Sequence, residues 1–333
     1  MKINQPNKKE DFLLEYINNK PVYIFEDHAT AVIPWLMIKK KIGKLPHLIT
    51  LDHHTDTMEA FRMYYGIQIG KSRNIDNDEK HYEIQSQISL LIKKLRELAD
   101  TYNYEEMKPL LKNLRNDEHI DLSIKLGILN YSVTLPSSST SPTESDLVKE
   151  YRRKEKEYNN LVRKLIQSDQ FHQVKNLIKP IYPNEDDWNL VKTYSMPKDK
   201  MFIVTPNIKC DGLSSTEEDL CVHKYNSNVI DDCFLFNQIG LASSMTITAT
   251  GKVVTEGPYI LDIDLDYFHN TKSINPKNHE CFYALIRHSE AITIAKESVC
   301  VLMEKEESEN KHDFNSDFLL SELKKHIYRA TST

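Results

Sequence analysis

Glycine and cysteine are both scarce in this chain, and each shortage argues against a class of protein. Only 8 of the 333 residues are glycine, and neither a GxGxxG nor a P-loop pattern occurs. The absence of these patterns argues against the usual nucleotide-binding folds. The 5 cysteines are scattered and include no CxxC pair. A disulfide framework is therefore not expected, and a reducing, cytoplasmic location is predicted.

The chain also lacks any apolar run that approaches the ~20 residues needed to cross a bilayer. Its N-terminal segment is polar and has no apolar stretch of the kind found in signal peptides. The net charge of −6 gives no general attraction to nucleic acid or to an anionic membrane. The sequence therefore predicts no nucleic-acid partner and no membrane partner, and it leaves the oligomeric state undetermined.

Strand patterns and helix patterns alternate along the chain. Pro21–Phe25 and His47–Leu51 are typical of buried strands, and residues 30–41 between them have a helical pattern. A strand, a helix and a strand in this order are typical of a parallel βαβ unit. The alternation predicts one α/β domain over the whole chain, with three layers (α/β/α) and a mainly parallel sheet. Residues 136–150 and 206–254 lack a clear pattern and are predicted to be flexible insertions.

Carboxylates and imidazoles follow the apolar strands of this pattern. These candidate metal ligands are His28, Asp52, His54, Asp56, Asp262 and Asp264. Alternate residues of a strand project from the same face, so Asp52 points with Asp56, and Asp262 points with Asp264. Ligands collect at the carboxyl ends of parallel strands, so the residues that follow different strands are expected to meet there.

Several buried acids at one place would repel one another strongly unless a cation lies among them. Carboxylate and imidazole ligands without thiolate suit manganese, iron or zinc, and the high proportion of carboxylates favours manganese. A single ion needs no more than three or four of the six candidates. We therefore expect two cations per chain, with one or two carboxylates that bridge them.

The motif order resembles that of a known family. Asp27-His28-Ala29, then Asp-x-His-x-Asp, then Asp-x-Asp after a late strand resembles the order in the arginase-like ureohydrolases, and most closely the branch that includes peptide arginases. The residues that carry the resemblance are Val22–His28, Trp35, Leu51–Asp56 and Ile260–Phe268. It implies the arginase/deacetylase fold and hydrolysis of an arginine guanidinium group to ornithine and urea.

The chain departs from typical arginases at two places. It lacks paired glycines before Asp27, and it has Asp266-Tyr267-Phe268 where arginases have an Asp-Pro ending. These departures favour a substrate other than free arginine, namely an arginine within a peptide or protein.

The resemblance also implies a role for each candidate ligand. His28 and Asp56 would bind the first manganese ion, and His54 and Asp264 would bind the second. Asp52 and Asp262 would bridge the two ions. Asp266 is an alternative to Asp262 or Asp264, because an error of two residues in the strand register would exchange them.

Three residues are candidates for catalysis. Asp56 would orient the attacking water by a hydrogen bond. His119, at a predicted helix start, is the candidate that carries a proton to the departing amine, since histidine titrates near neutral pH. Glu297, just beyond the predicted strand at 291–295, would hold the substrate guanidinium as a charge partner.

Two other functions are compatible with the same residues. A deacylase on the same fold would use a single zinc ion, held by an Asp-x-His pair and one late aspartate. A scaffold without activity would use the surface segments to bind a partner. The number of bound cations distinguishes the first alternative from a ureohydrolase, and an Asp52→Asn variant tests the second.

Overall fold

The computed structural model describes residues 11–72, 77–137, 154, 157–165, 177, 200–204, 226–306, 308–310 and 313–332. The strands are β1 (Phe12–Ile17), β2 (Lys20–Phe25), β3 (His47–Asp52), β4 (Ser132–Pro136), β5 (Met201–Ile203), β6 (Tyr259–Asp264) and β7 (Ala291–Ala295). They form one sheet in the order β1-β2-β7-β6-β3-β4-β5. Only the edge pair β1 and β2 is antiparallel among these strands, so the predicted α/β class with a mainly parallel sheet is confirmed.

Helices lie on both faces of the sheet. They are α1 (Val32–Ile42), α2 (Arg62–Ser72), α3 (Asn77–Asp100), α4 (Tyr104–Leu111), α5 (His119–Lys125), α6 (Asp232–Thr250), α7 (Thr271–Ile274), α8 (Glu280–His288), α9 (Ser298–Glu304) and α10 (Ser316–Thr331). Short 3-10 turns cover His28–Ala31 and Leu265–Tyr267, and residues 157–165 are also helical.

The sheet separates two apolar cores because alternate strand residues point to opposite faces. Leu48 and Ile260 pack with α1 to α5 on one face. Ile49 and Leu261 pack with α6 to α10 on the other face. Burial on both faces explains why the strand sequences are continuous apolar runs rather than alternating ones.

Part of the second predicted insertion is a helix instead. α6 begins after Asp231, whose side chain accepts a hydrogen bond from the Cys233 N–H group, and it ends at Gly251 with a φ of 75°. Its serine and threonine residues are spread among apolar ones, so the sequence shows no clear polar face. Residues 138–150 of the first predicted insertion and 206–225 of the second lie outside the described residues.

None of the helices in the described part of the chain combines the length and the apolar character that a bilayer span requires.

His47 should make the free energy of unfolding depend on pH. It is 4% exposed at the start of β3, its Nε2 lies 2.6 Å from the Val254 carbonyl oxygen, and its ring stacks on Tyr131. Burial lowers the pKa of His47 to about 4. Below pH ~6.5 the His47 side chain binds a proton in the unfolded chain but stays neutral in the folded chain. The free energy of unfolding therefore falls by about 3 kcal/mol from pH 6.5 to 4. In urea titrations, His47→Asn should show a shallower loss over this range; parallel curves for the two proteins would contradict the assignment.

Candidate metal centre

Four adjacent parallel strands end at one edge of the sheet, and candidate residues follow each of them. The strands are β2, β7, β6 and β3, in that order. The residues after them are His28, Glu297, Asp264–Asp266 and Asp52–Asp56. Topology thus brings together groups that are remote in sequence, such as His28 and Asp262, which are 234 positions apart.

His28 lies at the centre of this cluster and is fully buried. Its Nδ1 atom lies 3.2 Å from Asp264 Oδ2, 3.3 Å from Asp56 Oδ2 and 3.8 Å from Asp52 Oδ2. Three carboxylates therefore face one imidazole nitrogen. One nitrogen and three oxygens around a common point are a ligand set that suits a divalent cation such as manganese.

A second imidazole, from the solvent side, faces Asp52 and a further acid, Asp266. His54 Nδ1 lies 3.3 Å from Asp266 Oδ2 and 4.0 Å from Asp52 Oδ1. The hydrogen bond to Asp266 raises the pKa of His54 to about 9. Since Asp52 approaches both imidazoles, it is the carboxylate best placed to serve two cations.

Asp262 lies one pleat deeper in the sheet than Asp264. Its register partners are Thr50 and Thr293, whose hydroxyl groups donate to it at 2.9 and 2.5 Å. His28 Nε2 lies 2.8 Å from the same carboxylate. Trp35 Nε1 donates to Thr293 at 3.1 Å and completes a buried polar row beneath the cluster.

This placement differs from the bridging role expected of Asp262. Both of its oxygens are occupied by protein groups, and it holds the face of His28 that points away from the other acids. Asp266, the alternative, follows β6 in the 3-10 turn and faces His54. The two arrangements differ by a shift of two residues along β6, because residues at i, i+2 and i+4 share one direction.

Buried polar atoms without hydrogen-bond partners point into the cluster. Among the described residues, these atoms include His28 Nδ1, Asp52 Oδ2 and Asp266 Oδ2. Burial, and then repulsion between neighbouring carboxylates, raises the pKa of Asp52 and of Asp264 well above the usual range. Each unsatisfied buried group costs about 1–3 kcal/mol. Divalent cations would satisfy these atoms and compensate their charge, so the residues present fit such ions.

Two buried acids at the start of α5 hold the loop that carries Asp56. The Ala60 N–H group donates to Asp121 Oδ2 at 2.8 Å, and the Phe61 N–H group donates to Glu118 Oε2 at 3.0 Å. Asp56 has a φ of 47°, a left-handed conformation that costs about 1 kcal/mol or more in a residue other than glycine. The anchored loop maintains this strain and directs the Asp56 carboxylate toward His28.

His119, the predicted proton carrier, lies beside His28 and Asp56. Its ring is fully buried, with its centroid 4.1 Å from that of His28 and 5.2 Å from that of Trp35. Burial, and then the neighbouring His28, lowers the pKa of His119 well below the usual range. Its Nδ1 atom lies 2.6 Å from the Asn116 carbonyl oxygen and 3.7 Å from Asp56 Oδ2, so its role as a proton carrier stays a prediction. Its position indicates that it supports the ring of His28.

Glu297 lies at the mouth of the cluster, directly before α9, with a φ of 33°. Asn116 Nδ2 donates to both Glu297 carboxylate oxygens at 3.3 Å, and the His28 N–H group donates to Oε1 at 3.3 Å. Glu297 lines a cleft of about 380 Å³ together with Asp56 and Asp264. The predicted anchor for a cationic group therefore faces the same space as two of the candidate ligands.

Four polar residues beside the cluster were missed as a group by the sequence analysis. They are His53, Ser137, His269 and Glu304. His53 Nδ1 lies 3.0 Å from His269 Nε2, and His53 Nε2 lies 3.1 Å from Glu304 Oε2. Ser137 Oγ lies 3.1 Å from His269 Nε2. These residues come from four separate segments, so no spacing in the sequence signals their contact.

Comparison of the chain with family models, with curated proteins and with solved structures found no match.

Proposed function

We propose that the chain binds two divalent cations at this edge of the sheet. The first would be held by His28 and Asp56, the second by His54 and Asp266, and both by the shared carboxylates of Asp52 and Asp264. The observation that carries the proposal is that two imidazole nitrogens face a group of buried acids, among which Asp52 Oδ2 and Asp266 Oδ2 have no hydrogen-bond partner. The oxygen-rich ligand set favours manganese over iron or zinc.

We further propose that this centre hydrolyses the guanidinium group of an arginine within a peptide or protein, to give ornithine and urea. Support comes from the carboxylates of Glu297, Asp56 and Asp264, which line the cleft. Asp117 also lines it but is paired with Arg115 at 3.2 Å. Charge-assisted hydrogen bonds from a guanidinium to a carboxylate are strong and directional. The arginase/deacetylase type of α/β fold, implied by the motif order, is part of this proposal.

The chain's own groups divide the work of such a reaction. Bound divalent cations would supply an ionised water molecule near neutral pH. Asp56, which faces both the cluster and the cleft, would orient that water by accepting its hydrogen bond. Glu297 would hold the guanidinium, and Asn116 fixes the direction of its carboxylate. Asp262 would keep Nε2 of His28 protonated so that Nδ1 faces the acids.

The decisive experiment incubates manganese-loaded protein with peptides that contain arginine. The expected products are urea and a peptide lighter by the mass of the lost group. Free arginine and agmatine serve as comparison substrates, and lysine peptides serve as the control. Absence of turnover on every guanidino compound, with two cations bound per chain, would contradict the proposed reaction but not the metal centre.

Replacing Glu297 with glutamine should weaken substrate binding more than it slows the chemical step. The amide keeps the size of the side chain but removes the negative charge that attracts a guanidinium. We expect KM for an arginine peptide to rise by roughly 10- to 100-fold, with a smaller change in kcat. Steady-state urea assays measure both constants, and elemental analysis must show unchanged cation content. A loss of cations would instead make Glu297 a metal ligand.

Replacing Asp262 with asparagine should weaken cation binding without removing a ligand. The single amide oxygen of asparagine can accept from only one of Thr50 and Thr293, which donate to different oxygens of Asp262, and the charge that holds the imidazole of His28 is lost. Partners of this kind contribute roughly 10- to 100-fold in metal affinity. Manganese titration calorimetry should show this increase in dissociation constant, with two ions still bound at saturation. If Asp262 is a bridging ligand instead, at least one ion will be lost.

Metal counting also separates the two alternatives. A deacylase of the kind described above would hold one zinc ion per chain and would release acyl groups from acylated lysine peptides. A scaffold would retain its partner binding after Asp52→Asn.

A further inference from the structure

A second group of possible metal ligands lies at the rim of the cleft and shares only His54 with the proposed pair. It consists of His53, His54 and Glu304, and one ligand atom from each lies within 4.8 Å of the others. His53 Nε2 is 3.1 Å from Glu304 Oε2, and the rings of His53 and His54 are 4.7 Å apart and nearly perpendicular. The side chains are 13%, 53% and 34% exposed in chain order, so a solvated ion can reach them.

The orientation of His53 fits a ligand. Its Nδ1 atom is occupied inside the protein, 3.0 Å from His269 Nε2 and 3.3 Å from Ser137 Oγ. These contacts fix the ring and direct Nε2 toward the rim and Glu304. Imidazoles that bind metals usually have their second nitrogen held by such a partner.

Glu304 is held in place from the other side. It is the last residue of α9, and the Glu306 N–H group just beyond it donates to the His269 carbonyl oxygen at 2.8 Å. His269 therefore contacts His53 through its ring, and it contacts the segment directly after α9 through its carbonyl group. His269 thus supports both His53 and the end of the helix that carries Glu304.

We propose that His53, His54 and Glu304 form a zinc site separate from the manganese pair. Two imidazoles and one carboxylate, with a fourth position left to water, are a ligand set that zinc takes in proteins. Zinc bonds of about 2.0–2.2 Å in a tetrahedron separate the ligand atoms by about 3.3–3.6 Å. The observed distance of 3.1 Å between His53 and Glu304 is close to that separation. The half-exposed His54 needs only to turn toward them.

His54 belongs to both sites, and this overlap has a regulatory consequence that rests on the proposed function. A neutral imidazole has one lone pair for a metal, so His54 cannot serve both cations at once. Zinc at the rim would draw His54 away from Asp266 and Asp52, and would thereby inhibit the manganese enzyme.

The binding test uses a chain in which the buried pair is disabled by Asp52→Asn and Asp264→Asn. Titration with cobalt as a spectroscopic probe, and then with zinc, should show one tetrahedral site per chain. Adding Glu304→Gln should raise the dissociation constant for zinc at least tenfold. Adding Glu290→Gln, an exposed glutamate at the opposite edge of the sheet, should leave it unchanged. Equal zinc affinity with and without Glu304→Gln would overturn the site, whatever the result of the urea assay.

The inhibition test compares manganese-loaded wild type with Glu304→Gln. Glu304→Gln should require at least tenfold more zinc for half-inhibition of urea release. If Glu304→Gln removes zinc binding but leaves the inhibition constant unchanged, the site stands and the shared role of His54 is wrong. Absence of urea release in both proteins would affect only the proposed function, because the binding test needs no turnover.

Discussion

Asp52→Asn is expected to abolish cation pairing and to reduce urea release by on the order of 10³ or more. Asp52 is the carboxylate that approaches both imidazoles, with Oδ2 3.8 Å from His28 Nδ1 and Oδ1 4.0 Å from His54 Nδ1. In the wild type the His54 backbone N–H group donates to Asp52 Oδ1 at 2.7 Å. Asparagine keeps the side-chain volume and can still accept this hydrogen bond. Only the charge and one ligand oxygen are lost, so the fold should persist.

The measurements are metal stoichiometry by elemental analysis and urea release under saturating peptide. Asp100→Asn, at an exposed position at the end of α3, is the matched control and should retain both properties. Retention of two cations and of at least a tenth of the activity by Asp52→Asn would remove Asp52 from the shared position.

The second large effect concerns heat stability. Adding manganese to metal-free protein should raise Tm by about 10 °C or more. Two sites filled at a thousandfold excess over Kd contribute about 4 kcal/mol each. An unfolding entropy of about 2.1 cal/mol/K per residue means that this chain gains about 1.4 °C per kcal/mol. The physical reason is that the metal-free cluster holds Asp52, Asp56 and Asp264 against one another in a buried place.

The same repulsion makes a prediction of opposite sign for the metal-free state. Asp264→Asn, without metal, should melt at a higher temperature than wild type, because one of the mutually repelling acids is gone. With manganese the order should reverse. Calorimetric scans in a chelator and then in manganese test both statements. Equal melting temperatures for wild type in the two buffers would argue that no cation binds at the cluster.

The meeting of distant residues could be predicted from the sequence because it depends on few rules. Parallel strands direct their carboxyl ends to one edge, and each acidic run directly follows an apolar run. His28, Asp52 and Asp264 could therefore be placed together from the sequence, and the structure brings both carboxylates within 4 Å of the His28 Nδ1 atom.

The depth at which each acid of β6 lies in the sheet could not be predicted in the same way. The acids of Asp262, Asp264 and Asp266 have equal spacing and similar neighbours. Which of them enters the cluster depends on where β6 ends. In the structure, hydrogen bonds from Thr50 and Thr293 hold Asp262 within the sheet. The direction in which the His119 side chain points depends on the rotation of α5 about its axis. This helix is short and has no side-chain cap from which that rotation could be predicted.

Contacts between segments that are distant in the sequence were the hardest feature to predict. The edge strand β1 carries exposed Leu13 and Tyr16, so its pattern does not resemble that of the buried strands. The rim residues His53 and Glu304 meet only because α9 folds back over the loop after β3. Such contacts depend on the whole topology rather than on spacing.

The left-handed backbone at Asp56 and Glu297 sets a limit on engineering this protein. Both residues hold carboxylates at the cleft in a conformation that glycine would adopt more easily. A laboratory selection for thermal resistance in the absence of metal would therefore favour glycine at these two positions and would discard the carboxylates that we assign to water and substrate. Libraries built for robustness should keep both codons fixed and should seek their gains at exposed helix positions instead.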